Sequence, residues 1–356
     1  MSTGANRENR VEHQSAISLF PSLPPVPVPS WRGAMRDAVR EPRELCRLLE
    51  LPAEFEEAAV RAARLFPLFA PRGFVARMQP GNPSDPLLRQ VLPLDAEFDS
   101  PEGFNDDPVG DLAAAKTPAL LHKYRGRALL LTTGACAVHC RYCFRRHFPY
   151  EQTPPSLDVW NDALEVVAAD SSIREVILSG GDPLTIVDPL LMELARRIAA
   201  IPHVARLRVH TRLPIMIPER INDDLVAWLR GTRLVPLVVI HANHPAELQG
   251  AAGEAIGRLV NAGVPVLNQS VLLRGVNDEI ETLAALSERL VELRAMPYYL
   301  HQLDRVRGAA HFEVPIARGL ELIAGLQSRL PGYAVPRYVR EEMGATRKIP
   351  LDSALH

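Results

Sequence analysis

Residues 128–144 read ALLLTTGACAVHCRYCF: an apolar run, a glycine, and then Cys136, Cys140 and Cys143 in CxxxCxxC spacing. The run Ala128–Thr133 predicts a strand, since a short apolar stretch ended by a turn signal suits a buried strand. Three thiolates placed together at a strand end suit soft-ligand chemistry. They can hold three irons of a [4Fe–4S] cluster and leave the fourth without a protein ligand. An open iron is a place where a small molecule coordinates and receives an electron. The same residues also allow a structural zinc site or three unrelated core cysteines. Structural zinc closes a tetrahedron, often from paired CxxC knuckles. No second knuckle is present, and the remaining cysteine, Cys46, lies far upstream in a helical segment.

The chain has 356 residues, 47% of them hydrophobic and 23% charged, with a net charge of −2. That length gives one large domain or two ordinary ones. The near-neutral balance argues against a nucleic-acid or anionic-membrane partner. No apolar run approaches the roughly 20 residues of a membrane span, and the N-terminus lacks the basic-then-apolar pattern of a secretory signal. Four cysteines, three of them clustered, point to a reducing compartment rather than a disulfide framework. The expected location is the cytoplasm.

Organisation changes along the chain. Residues 1–30 are polar and then Pro-rich, which predicts a disordered tail with polyproline character. Residues 31–69 carry apolar residues three and four apart and predict helices. A Pro/Asp-rich stretch over 71–111 is expected to wrap the next domain. From Ala128 onward, strand candidates at 128–133, 175–179, 206–211, 234–241, 265–272 and 297–303 alternate with helical stretches at 156–169, 189–200, 218–229, 246–262 and 279–294. Such alternation predicts a parallel sheet with right-handed crossovers. Six β/α units fall short of a closed eight-fold barrel, so the expected fold is α/β, a partial (β/α)6 barrel. Chemistry in such architectures gathers at the C-terminal ends of the strands.

The strand ends carry polar residues. The second ends in SGGDP (179–183), the third in HTR (210–212), the fourth in HANH (241–244), and the sixth in HQLD (301–304); the fifth contains Asn268 and Gln269. Paired glycines let backbone approach a ligand closely, although SGGDP alone reads as an ordinary βα turn. Arg145 follows the last cysteine by two positions, and a guanidinium there suits a bidentate grip on a carboxylate. Asp304 suits a cation, or a salt bridge at the rim. Lys348 alone reads as an exposed lysine.

Several segments together resemble a known family. CAVHCRYCFRRHF (136–148), LSGGDPL (178–184), LNQSVLLRGVND (267–278), PYYLHQLD (297–304), GAAHF (308–312) and GNPSDPLLRQVL (81–92) resemble the lysine 2,3-aminomutases. These are radical S-adenosylmethionine (SAM) enzymes that also use pyridoxal 5′-phosphate (PLP). The resemblance runs from about Trp31 to Asp352. Within the family, YRGRALLL (124–131), CRYCFRRHFPY (140–150) and REEMGATRKIPLD (340–352) look like the short branch that makes (R)-β-lysine for elongation factor P. The longer free-lysine enzymes carry a C-terminal zinc-binding extension, whereas this sequence stops soon after Lys348.

The resemblance implies roles residue by residue. Cys136, Cys140 and Cys143 match the cluster ligands, and Lys348 the lysine that holds PLP. Arg145 matches the arginine on the substrate carboxylate, with Asp304 and Glu341 matching the two carboxylates for its ε-ammonium. The second of these is Asp in the free-lysine enzymes. Tyr124 and Arg127 fall where PLP-phosphate contacts are made, with Lys123 where the longer enzymes have arginine. Ser179, Gly180, Gly181, Asp182, His241 and Gln269 fall at the SAM site. The implied division is a tail (1–30), a helical and wrapping region (31–115), the radical SAM barrel (116–310) and a C-terminal segment with the PLP lysine (311–356). The implied partners are L-lysine, a flavodoxin- or ferredoxin-like one-electron donor, elongation factor P with its lysyl-transferring enzyme, and a second copy of the chain. The alternatives are a free-lysine aminomutase and a non-catalytic protein that binds metal or lysine.

Overall fold

The computed structural model describes residues 30–152 and 155–352. The tail expected over 1–30 lies, except for Ser30, outside the described residues. One sheet of ten strands organises the chain. In chain order they are β1 Ala115–Thr117, β2 Leu120–Tyr124, β3 Arg127–Thr133, β4 Glu175–Gly180 and β5 Arg206–Thr211, followed by β6 Val235–Ile240, β7 Val266–Val271, β8 Met296–His301, β9 Arg337–Arg340 and β10 Ile349–Pro350. Strands β3 to β9 are parallel, while β1, β2 and β10 add antiparallel edges. Spatial order equals sequence order, so each crossover steps one place in the same direction. The ends of the order do not meet, which leaves the barrel open.

Six helices connect the seven parallel strands: Leu157–Ala169, Asp188–Ala199, Asp223–Arg230, Ala251–Asn261, Ile280–Glu292 and Ile316–Arg329. The expected (β/α)6 arrangement is therefore present, with β9 added beyond it. Each helix turns an apolar stripe to the sheet, as Leu191, Leu194, Ala195 and Ile198 do in the second. Two expected helices are divided. Asn222 Oδ1 accepts from the Leu225 amide at 2.9 Å and starts a new helix after the turn at Pro218–Arg220. Gly250, at φ 53°, breaks the other between Pro245–Leu248 and Ala251–Asn261. No helix among the described residues is long and apolar enough to cross a membrane.

The region before the barrel forms helices at Trp31–Arg36, Pro42–Leu48 and Ala53–Ala62, then short turns that wrap the cysteine loop. The amides of His139 and Arg141 donate to the carbonyls of Phe69 and Gln90, each at 2.9 Å. Arg141 donates twice to Glu97 at 2.8 and 2.6 Å, and Arg146 donates to the same carboxylate at 2.7 Å. All three side chains are buried. Removing one member of such a group strands the others in low dielectric, at about 3–5 kcal/mol. Glu97→Ala is expected to lower stability by about that amount, read as a lower midpoint of denaturant unfolding; an unchanged midpoint contradicts the clamp.

Candidate active site

The C-terminal ends of the parallel strands open into one cavity of about 650 Å³, and every site residue named from sequence lines it. The cysteines lie on the loop after β3. Ser179 and Gly180 end β4, and His210 lies near the end of β5. His241 follows β6, Gln269 is on β7, and His301 and Asp304 mark the end of β8. Glu341 follows β9 and Lys348 precedes β10. A parallel sheet sends these ends the same way, so residues far apart in sequence share one space.

At the cysteine end, backbone packing decides the glycines. Gly180 has φ 116°, and a Cβ there would come within 2.5 Å of the Thr133 carbonyl oxygen. A Cβ on Gly181 would come within 2.3 Å of that of Ala135. The freedom read from sequence as room for a ligand is thus used first by the chain's own cysteine loop. The Gly181 and Asp182 amides donate to the Thr133 and Ala135 carbonyls at 2.7 Å. Asp182 accepts from the Thr211 hydroxyl and the Arg212 amide, each at 2.7 Å, and from the Leu184 amide at 3.1 Å. It ties the ends of β4 and β5 together beside the thiols. Burial, with the neighbouring Cys143 and Asp182, pushes the Cys136 thiol well up, and burial with Cys140 raises Cys143 to about 11.

Toward the other side the lining becomes ionic. Arg145 donates through Nε to Asp111 at 2.6 Å and through Nη1 to Ser179 Oγ at 3.2 Å. Asp111 also holds Lys123 Nζ at 2.6 Å, and Lys123 lies 3.6 Å from Glu341. Glu341 accepts from Tyr124 at 2.8 Å and pairs with Lys348. Arg127 lies over the Tyr124 ring at 4.6 Å, and Lys348 over the Tyr299 ring at 5.9 Å.

Two neighbouring carboxyls are driven apart in acidity. Burial favours the neutral form of both. At Glu341 the charges of Lys348 and Lys123 outweigh it and hold the group at about 2. At Asp304 burial prevails, reinforced by Glu341, and raises it to about 7. One carboxylate is already spent on an ammonium, and the other is poised to ionise when a second cation arrives. The folded value of Asp304 exceeds its ordinary 3.8. Its contribution to the stability of the ligand-free protein is therefore complete below about pH 4 and lost as pH rises through about 7. Asp304→Asn is expected to remove that decline from a series of thermal midpoints over this window. Parallel pH profiles for the two proteins contradict it.

Three imidazoles complete the wall. The Nε2 atoms of His210, His241 and His301 are buried with no protein partner among the described residues. Burial pushes all three toward the neutral form, His241 to about 3. Buried polar atoms are normally satisfied, so these mark space for a polar ligand.

The pattern of the Radical SAM superfamily matches residues 130–247. The chain is 48% identical over 326 residues to the L-lysine 2,3-aminomutase of Escherichia coli (strain K12), covering 91% of this chain and 95% of that one. It is 44% identical over 319 residues to the Haemophilus influenzae enzyme of the same name, covering 90% and 94%. Against that of Clostridium subterminale, identity is 34% over 322 residues, covering 90% and 77%. The chain belongs to the L-lysine 2,3-aminomutase family. It is an isomerase of the radical SAM type, and the cofactors of this aminomutase family are a [4Fe–4S] cluster, SAM and PLP.

The residues of this aminomutase fit those groups. Three thiols line one cavity, with the Arg212 guanidinium donating to Cys140 Sγ at 2.8 Å. No trio of His, Cys, Asp or Glu among the described residues is arranged for a single ion; a cubane needs one thiolate on each of three irons and makes no such demand. The unpartnered imidazoles suit SAM, and an amine beside an aromatic ring and a carboxylate suits PLP. The sequence reading did not select Asp111, Arg212, or the pair Arg208–Glu175 at 3.2 Å deeper in the cavity. Arg212 stood in the HTR strand end, the one signal available. Asp111 lies in a stretch read as surface wrapping, where nothing in the spacing announced its burial.

Proposed function

We propose that this aminomutase converts L-α-lysine to (R)-β-lysine, which a lysyl-transferring enzyme attaches to elongation factor P. The observation that carries the substrate is charge placement. Arg145 and the Asp304–Glu341 pair line the same cavity as the three thiols. A side-chain carboxylate such as that of glutamate would meet two acids. Higher identity to the Escherichia coli and Haemophilus influenzae enzymes than to the Clostridium subterminale one agrees with the short-branch motifs.

In this reading Cys136, Cys140 and Cys143 hold the cluster, and Ser179, Gly180, Gly181, Asp182, His241 and Gln269 border SAM. Lys348 holds PLP, with Tyr124 and Arg127 near its phosphate. When bound, the cluster with SAM supplies one-electron hydrogen abstraction, and PLP carries the migrating nitrogen. The protein's work is positional. Arg145, fixed by Asp111 and Ser179, takes the substrate carboxylate. Asp304 and Glu341 take the ε-ammonium and so set the length of substrate accepted. Lys348, which pairs with Glu341, gives up that pairing when it holds PLP, so Glu341 is open to the incoming ε-ammonium. Ile177, Leu237, Leu267 and Val271 supply the apolar part of the lining from β4, β6 and β7.

The pathway assignment is tested with elongation factor P, its lysyl-transferring enzyme and ATP. Adding this aminomutase, its cofactors, a reductant and L-lysine should increase the mass-shifted fraction of the factor over L-lysine alone. Equal modification with and without the enzyme contradicts the assignment.

A further inference from the structure

The three thiols are not equivalent. Arg212, at the end of β5, is buried and directs Nη1 at Cys140 Sγ at 2.8 Å. Its Nη2 donates to Glu247 Oε2 at 2.5 Å and to Gln90 Oε1 at 3.2 Å. Glu247 is fully buried, and its Oε1 accepts from the amides of Asn243 and His244 at 2.8 and 3.0 Å and from Gln90 Nε2 at 3.1 Å. Asn243 Nδ2 in turn donates to Gln90 at 3.0 Å and to the Tyr142 hydroxyl at 2.7 Å. The guanidinium is therefore held in one orientation from behind, with its thiol contact in front. Its Nε is buried without a protein acceptor among the described residues.

We propose that Arg212 raises the reduction potential of the cluster through Cys140, and that Glu247 sets how much of that positive charge the cluster experiences. This rests on the assignment of the three cysteines as cluster ligands. A guanidinium stays charged throughout the accessible pH range, and charges in a dry interior interact strongly. Potentials of iron–sulfur clusters respond to net charge and to hydrogen bonds on the sulfurs. The couple is one-electron: the oxidised cluster accepts one electron from an external reductant, with no bond made or broken. Positive charge at Cys140 favours the reduced cluster, and the carboxylate behind it works the other way. Arg212 and Glu247 are in this sense positioning residues with an electrostatic output. A purely structural ion pair would leave the potential alone.

The experiment uses the full chain reconstituted with iron and sulfide. Iron is counted first, and the cluster is then titrated potentiometrically with its reduced-state EPR signal as readout. Arg212→Gln is expected to lower the potential and Glu247→Gln to raise it. Each shift should correspond to at least about tenfold in the one-electron equilibrium, about 59 mV. Opposite signs support the proposal, because loosened packing would move both variants the same way. Shifts of the same sign, or none, overturn it. If Arg212→Gln takes up no cluster, Glu247→Gln decides alone: a higher potential supports the proposal, and an unchanged or lower one overturns it. Iron uptake that does not depend on Cys136, Cys140 and Cys143 defeats the cysteine assignment and this proposal with it. That result appears in the iron count, before any potential is measured.

Discussion

Asp304→Ala lowers kcat/KM for L-lysine by about 10²- to 10⁴-fold while leaving cluster and PLP loading intact. The size follows from the cost of leaving one partner of a buried charge pair alone, about 3–5 kcal/mol. Asp304 is half-buried, and its carboxyl is raised to about 7 because burial and the charge of Glu341 outweigh the nearby Lys348 and Lys123. A substrate ammonium would supply that compensation, and without Asp304 it would rest on Glu341 alone, which Lys123 also claims. Steady-state kinetics with measured iron and PLP contents check this. A variant with normal kcat/KM contradicts the placement of the ε-ammonium.

Cys140→Ala has the larger effect, because it removes a ligand rather than weakening a contact. With two thiolates left, the cubane loses its third protein anchor, and Arg212 is left with a donor aimed at a methyl group. Bound iron after reconstitution is expected to fall from about four per chain to well below one, with turnover lost entirely. The folded protein should survive, since the clamp of Arg141 and Arg146 on Glu97 does not involve the thiol. Retention of a full iron complement contradicts the ligand set.

The barrel was legible in the sequence because its strands are short apolar runs with strong turn signals between them. β9 was not: Arg337–Arg340 sets only two adjacent buried residues between two arginines and resembles surface. The helix Ile316–Arg329 and β10 were missed with it. That gap matters for the site, since the β9–β10 pairing of Arg340 with Ile349 brings Lys348 back to Glu341. Without that hairpin Lys348 looks like one more exposed lysine, and only family resemblance singled it out. The partners that fix the site were also hidden. Asp111 lies 34 residues before Arg145, and Glu97 lies 44 before Arg141. Ion pairs of that separation leave no periodic trace, because the fold alone decides which guanidinium meets which carboxylate.

The cavity's content is tested most directly by incubating the reconstituted protein anaerobically with L-lysine, SAM, PLP and dithionite and resolving the product on a chiral phase. The expected product is (R)-β-lysine. The (S) enantiomer would move the enzyme to the free-lysine branch, and no β-lysine from protein with full cluster and PLP would contradict the substrate reading itself.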